Sequence, residues 1–383
     1  MEIPFHKPYI TDEEVRGAAE AVRSGWLTMG PKTIEFENRF AGYVESRHAV
    51  SMNSCTACLH LALRAIGLGA GDEVIVPAMT FTATAEVISY FRARPVFADI
   101  ETGTGNMDAG RLERLINAKT KAIIPVHLGG QPCDMDEILD IARSRGVRVI
   151  EDAAHALPAW YRYKKVGGLG DITCFSFYAT KTLCTGEGGM AATDNAQWAD
   201  TMRMLRLHGI SKDAWKRYTK EGSWRYEVID AGCKYNMTDI QAALGLAQLA
   251  KLEWMWRERS EIARRYNEAF GDVEGLVTPF VKPDRESAWH LYSLKLNLES
   301  LRIGRDRFVE ELSKRGIGVS VHFIPLYRHP YYRNKYGCRL SEFPASEWVF
   351  GRIVSLPIYP SMMEEEISGV MDVVTHLAWK FKR

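Results

Sequence analysis

The sequence predicts an α/β protein: a large domain on a mostly parallel, mixed sheet covered by helices, followed by a smaller α+β C-terminal domain. Three observations predict it. Through the first 200 residues, short β-branched runs alternate with helical stretches, the pattern of strands joined by crossover helices. The polar groups suited to chemistry fall at or just past the ends of those runs, where open α/β sheets bind ligands. A length of 383 residues suffices for two units with a sizeable core.

Taken in order, residues 74–77 (Val-Ile-Val-Pro), 122–126 (Ala-Ile-Ile-Pro-Val) and 147–150 (Val-Arg-Val-Ile) are short and bounded by Gly, Asp or Pro, as buried strands are. A helical stretch, 135–145, lies between the second and third of them. From 239 to 270 the pattern stays helical without a proline, Gly245 being the one weak point. A single helix there would run roughly 45–50 Å at 1.5 Å per residue, a connector from a large domain (1–250) into a small one (251–383). The tail alternates again, with strands expected at 292–296 and 319–323 and a helix near 305–315. Residues 211–235 mix Lys, Trp, Tyr and Gly without periodicity and read as a mobile loop.

Composition excludes several functions. With 49 basic and 48 acidic residues, the net charge of +1 gives no electrostatic case for nucleic-acid or membrane binding. No apolar run approaches the roughly 20 residues of a membrane span, and the N-terminus has no signal pattern, so a cytoplasmic protein is expected. Seven scattered cysteines fit reduced thiols. Cys55 and Cys58 form a Cys-x-x-Cys with no second pair, so no metal site is expected. Gly103-Thr104-Gly105 lacks the third glycine of a dinucleotide fingerprint, and no Gly-Lys-Ser/Thr follows Gly186-Glu187-Gly188-Gly189.

What remains is a lysine and an acid. Lys181 follows the apolar run 175–177 and a polar turn; Asp152 ends the hydrophobic run 149–151. That pair is what pyridoxal 5'-phosphate requires: an amine to form the Schiff base, and a carboxylate to keep the pyridine nitrogen protonated so that the ring withdraws electrons. As a free amine Lys181 could also carry the proton between cofactor and substrate carbons. Ser176 alternates with Phe175 and Phe177, so its hydroxyl faces away from both. Asn53-Ser54-Cys55-Thr56-Ala57 opens a run of helix formers; it reads equally as an ordinary cap or as an anion site.

Three segments, Glu151 to His155, Ser176 to Gly189 and Lys234 to Ala243, resemble in order and wording the DegT family of nucleotide-sugar aminotransferases, and within it the 4-amino-4-deoxy sugar synthases. The resemblance runs from Gly25 to Pro360. It implies the fold type I architecture of pyridoxal phosphate enzymes, Lys181 and Asp152 as catalytic residues, and cofactor contacts from Cys55, Thr56, Ala57, Ser176 and His155. It implies that Phe81 stacks on the pyridine ring and that Asn236 reaches the phosphate of a neighbouring subunit, making a homodimer with composite sites. Its implied reaction is transamination of a nucleoside-diphosphate 4-keto-6-deoxyhexose by L-glutamate, for surface polysaccharide or aminosugar synthesis. A 3-keto substrate, or a non-catalytic regulatory protein on the same fold, remain open. A sugar 3-dehydratase of this family would carry histidine in place of Lys181. His322, Tyr327 and His329 could close over the sugar, with Trp224 and Arg225 near the diphosphate; the alternative is that Phe323, Leu326 and Tyr331 are core and the polar residues of the stretch lie on the surface. The departures from the family's common wording, Gly129-Gly130, Pro158 and Trp160, bear on the sugar and leave the cofactor chemistry intact.

Overall fold

The computed structural model of the chain describes residues 2–210 and 226–383. Its centre is a seven-stranded sheet made of β1 (His48–Met52), β2 (Glu73–Pro77), β3 (Arg94–Ala98), β4 (Thr120–Ile123), β5 (Arg148–Asp152), and, after a small hairpin of β6 (Trp160–Tyr161) and β7 (Lys164–Lys165), β8 (Ile172–Ser176) and β9 (Gly189–Thr193). The order is β1-β9-β8-β5-β4-β2-β3. Strands from β3 to β8 pair in parallel, and β9 alone runs against its neighbours. Strand β4 stops at Ile123, three residues short of the run expected from sequence, although the Ile124 amide still donates to Ile75 O at 2.8 Å. Pro125 follows and has no N–H to continue the ladder.

Helices cover both faces. Helices α1 (Asp12–Arg23), α2 (Pro31–Tyr43), α3 (Cys55–Ala65), α4 (Ala83–Ser89), α5 (Leu112–Leu115), α6 (Met135–Ser144) and α7 (Ala196–Leu205) precede α8 (Asp239–Ala250) and α9 (Leu252–Phe270). On one face α3, α4 and α7 bury Leu59, Leu63, Val87 and Met202 against Val50, Val76 and Ile150 of the sheet. Elsewhere Phe36 and Phe40 of α2 pack on Phe175 and Phe177 around β8. The C-terminal part pairs β10 (Leu276–Val277) with β12 (Tyr292–Leu296) and β13 (Ile353–Leu356), while β11 (Arg285–Glu286) joins the β6–β7 hairpin. Helices α10 (Arg305–Ser313), α11 (Pro330–Tyr336), α12 (Pro344–Phe350) and α13 (Glu364–Lys380) complete it. Ile3, near the start of the chain, packs into this C-terminal core and bridges to Ile317.

Three expectations are corrected. The single helix over 239–270 is two, because Lys251 leaves helical geometry at φ −115°, ψ 9°. Its ammonium is drawn to Thr11 Oγ1 (2.8 Å) and Glu14 Oε2 (2.7 Å) of the first helix region, a tertiary demand that local periodicity does not register. Gly245 is no weak point: it lies within α8, where a Cβ would come 2.6 Å from the Phe36 ring, so glycine lets the helices approach. The strand expected at 319–323 is reduced to one bridge between Ser320 and Ser355. Most of the segment read as a mobile loop lies outside the described residues.

A buried carboxylate joins two distant segments of the chain. Asp239, 2% exposed, accepts the amides of Gly30 (2.7 Å), Lys32 (3.0 Å) and Thr33 (3.0 Å) and the Thr33 hydroxyl (2.6 Å). It thereby caps the start of α2 from the start of α8, across more than 200 residues. Asp239→Ala leaves these donors unpaired in the interior and is expected to lower the unfolding free energy by about 2–4 kcal/mol; urea denaturation followed by circular dichroism, with an unchanged slope and a lower midpoint, checks it.

Candidate active site

Strands β5 and β8 are neighbours, with Asp152 opposite Cys174. Both end at the same edge, so Asp152 and Ser176 emerge side by side, and a turn closed by the Lys181 amide on Tyr178 O (2.8 Å) brings Lys181 back over them. All three line one cavity of about 340 Å³. Cys55, Thr56, Phe81, His155 and His322 line it as well.

The acid is buried, 5% exposed. Burial pushes its carboxyl above the usual range, opposed by the Thr84 hydroxyl on Oδ2 (2.8 Å), the Ala154 amide on Oδ1 (3.2 Å) and the charge of Lys181. Thr84 in turn receives the Thr80 hydroxyl at 2.9 Å. Each carboxylate oxygen thus has one donor fixing it and lone pairs left for a ligand. Burial lowers the Lys181 amine to about 8, with Cys55 and Asp152 acting against that drop. At neutral pH an appreciable fraction is therefore unprotonated. His155 is also buried; its Nδ1 accepts the Gly129 amide (3.3 Å), which leaves Nε2 as the N–H donor, and burial keeps the ring neutral.

At the start of α3, Ser54 Oγ accepts the Ala57 amide (3.1 Å). This corrects one expectation: the Ala57 amide is taken by the cap and Ala57 does not line the cavity. The amides of Cys55 and Thr56 are first-turn N–H groups with no intrahelical acceptor, next to the Ser176 hydroxyl. Gly189 allows the sheet to come this close, since a Cβ there would lie 2.5 Å from Ser54 C and 2.6 Å from Cys55 N. A helix start of this kind carries a fractional positive charge suited to a phosphate. A buried acid, an amine and an anion-binding turn around one cavity fit pyridoxal phosphate.

The other expected residues separate. Phe81 is 58% exposed, with its ring 5.8 Å from Phe323. His322 sits with Nδ1 2.8 Å from Ser355 Oγ. His329 lines a second cavity of about 740 Å³, which shares Thr80, Phe81 and Phe323 with the first. Tyr327 does not close over either cavity: it is fully buried, stacked on Phe343 at 4.3 Å and donating to Glu347 Oε1 at 2.8 Å. Its place between Leu326 and the polar pair Arg328-His329 left its side open in the sequence. Asn236 is half-buried, donates to Met237 O at 3.2 Å, and is not among the residues lining its own chain's cavity. Trp224 and Arg225 lie outside the described residues. Sequence reasoning missed Thr84, Phe323, His290, Phe5 and His6 at this site. The Thr80-Phe81-Thr82-Ala83-Thr84 run offered a signal for Thr84; nothing local pointed to His6, which arrives from the far end of the chain.

Residues 8–375 match the DegT/DnrJ/EryC1/StrS aminotransferase family. The chain belongs to that family. It is 53% identical to the uncharacterized protein MJ1066 of Methanocaldococcus jannaschii, covering 97% of this chain and 96% of that one. It is 49% identical to the spore coat polysaccharide biosynthesis protein SpsC of Bacillus subtilis, with the same coverage. Spr1654 from Streptococcus pneumoniae, a candidate sugar aminotransferase, superposes with a TM-score of 0.93 in its PMP-form, at 36% identity over 99% of this chain and 100% of that one, and 0.92 in its PLP-form. The protein is an aminotransferase of the α/β pyridoxal phosphate class, and its cofactor is pyridoxal phosphate. Among the described residues no group of His, Cys, Asp and Glu is arranged to hold a metal ion, and no helix is long and apolar enough to cross a membrane.

The lowered amine sets a pH test. Only unprotonated Lys181 can attach the cofactor, so the rate of pyridoxal phosphate uptake by the apoprotein is expected to rise with pH and level off above about 8, not near 10.4 as for an exposed lysine. Borohydride reduction followed by mass mapping should place the label on Lys181, and Lys181→Ala should take none.

Proposed function

We propose that the protein transfers an amino group from L-glutamate to the keto carbon of a nucleoside-diphosphate 4-keto-6-deoxyhexose. The observation that carries this reading is the buried Asp152 facing the Lys181 amine in a cavity wide enough for the cofactor, with a second, aromatic-lined cavity opening beside it. The polysaccharide role in the name of SpsC and the sugar assignment of Spr1654 support a sugar acceptor. The product would feed surface polysaccharide or aminosugar synthesis in the cytoplasm, which the seven free thiols favour.

When bound, pyridoxal phosphate supplies an electrophilic carbon for amines and an electron sink for the carbanion that proton loss creates. Lys181 would hold it covalently, and Lys181 Nζ, once released, would carry the proton between carbon atoms; an amine lowered to about 8 suits it to both removal and return. Asp152 would keep the proton on the ring nitrogen, held in place by Thr84 and Ala154. Ser176, Thr56 and the first-turn amides of α3 would bind the phosphate, while Phe81 and His155 would orient the ring. In the domain arrangement proposed here, residues 1–250 supply these groups and 251–383, with Phe5 and His6 from the start of the chain, supply the rest of the lining, His322 included; His329 borders the adjoining cavity. The enzyme would act as a homodimer, with Asn236, which lines no part of its own chain's cavity, completing the partner's phosphate site.

Two outcomes test this. L-glutamate should convert the holoenzyme to its pyridoxamine form, and a 4-keto-6-deoxy nucleotide sugar should return it to the starting spectrum; a 3-keto sugar reacting faster would move the site of amination. Mixing Lys181→Ala chains with Asn236→Ala chains should regenerate activity above either parent, because some heterodimers then hold one intact site. No gain despite demonstrated subunit exchange would confine Asn236 to its own subunit.

A further inference from the structure

The wall opposite Asp152 carries polar atoms that the chemistry above leaves unused. His6 and His290 both line the catalytic cavity, and His6 Nε2 and His290 Nδ1 are both buried without a hydrogen-bond partner. Buried nitrogens of this kind find a partner in water or a ligand. His6 is firmly placed. The segment carrying it is pinned to the C-terminal core through Ile3 N–H on Gly316 O and Gly318 N–H on Ile3 O, both 2.8 Å. Phe5 beside it stacks on His322 at 5.5 Å. Gly318 permits the approach, since a Cβ there would lie 2.5 Å from Phe5 N.

The groups around His6 keep its ring neutral. Burial first, then Arg259 and Lys181, push the imidazole down to about 4. Arg259 is itself 1% exposed, clamps Ile358 O (2.7 Å) and Trp289 O (3.3 Å), and has no carboxylate partner among the described residues. The other aromatic neighbour, Tyr359, meets the His6 ring edge-on at 6.4 Å. A neutral imidazole has one N–H and one lone pair, so the unpartnered Nε2 can meet a hydroxyl, which both donates and accepts, in either tautomer. It brings no charge to a carboxylate.

We propose that His6 Nε2 pairs with a hydroxyl of the sugar substrate, making His6 a specificity-determining residue for the sugar half-reaction and not for the amino donor. This rests on the nucleotide-sugar reading above. Two substitutions test the outer nitrogen. His6→Asn is too short to place a polar atom at the Nε2 position; His6→Gln carries its amide group out to that position. Each half-reaction is followed by absorbance in stopped flow, using L-glutamate with the holoenzyme, and dTDP- and UDP-linked 4-keto-6-deoxyglucose with the pyridoxamine form. His6→Asn should lower kcat/KM for the sugar half-reaction about 10- to 100-fold, the loss expected from stranding a buried hydroxyl. The glutamate half-reaction should stay within about twofold, and His6→Gln should recover most of the sugar rate. Equal slowing of both half-reactions, or of neither, overturns the inference while leaving the aminotransferase reading standing. If the wild type reacts with glutamate but with neither nucleotide sugar, the substrate reading fails, and the role of His6 fails with it.

Discussion

The site depends on putting a carboxylate and an amine into one low-dielectric cavity. Alone, each would resist burial, because removing a charge from water costs more than most single contacts return. Here each supports the other: Lys181 helps keep Asp152 ionised, and Asp152 opposes the loss of the proton from Lys181. Burial still wins on both, which is what catalysis uses. An amine lowered to about 8 can give and take protons, and an acid stripped of water holds a pyridinium proton more tightly than it could in solvent.

Everything around the pair serves its geometry. The parallel registry of β5 and β8 places Asp152 and Ser176 at one edge, and the antiparallel β9 returns the chain so that Gly189 can press against the start of α3. Long-range carboxylates then lock the helices. Asp239 caps α2 from α8, and Asp99, at the end of the third strand, accepts the amides of Ala345 (3.0 Å) and Ser346 (2.9 Å) to hold α12 against the sheet. In both cases a buried acid is tolerated because two or more N–H donors meet it, and in both the bond spans over 200 residues of sequence.

The facing wall is built on a different principle. His155, His290 and His322 crowd together, with His155 4.5 Å from His290 and stacked on Phe323 at 5.8 Å. Burial and the charges of Lys181 and, for His290, Arg259 hold these rings neutral. Neutral imidazoles offer a donor and an acceptor without adding charge, the chemistry suited to a polyhydroxylated ligand. Arg259 is not among the residues lining the cavity, and the start of α3 offers its fractional positive charge to an anionic phosphate.

The sequence by itself determined the α/β class, the placement of Lys181, Asp152 and Ser176 at strand ends, and the helix start at Cys55, because strand periodicity and helix initiation are local properties and a reactive group beside them keeps its position. It also carried the family, since the three segments around those residues are contiguous. The tertiary structure decided what depends on distant residues. Lys251 turns out of helix because Glu14 waits for it, Tyr327 enters the core because Phe343 stacks on it, and Ala57 loses its amide to Ser54 through the exact turn of the cap. His6 reaches the cavity only because Ile3 pairs with Ile317 at the other end of the chain. For Lys251 and His6 the deciding partner lies hundreds of residues away, for Tyr327 it lies just ahead of α12, and for Ala57 it is a hydrogen bond whose direction no periodicity encodes.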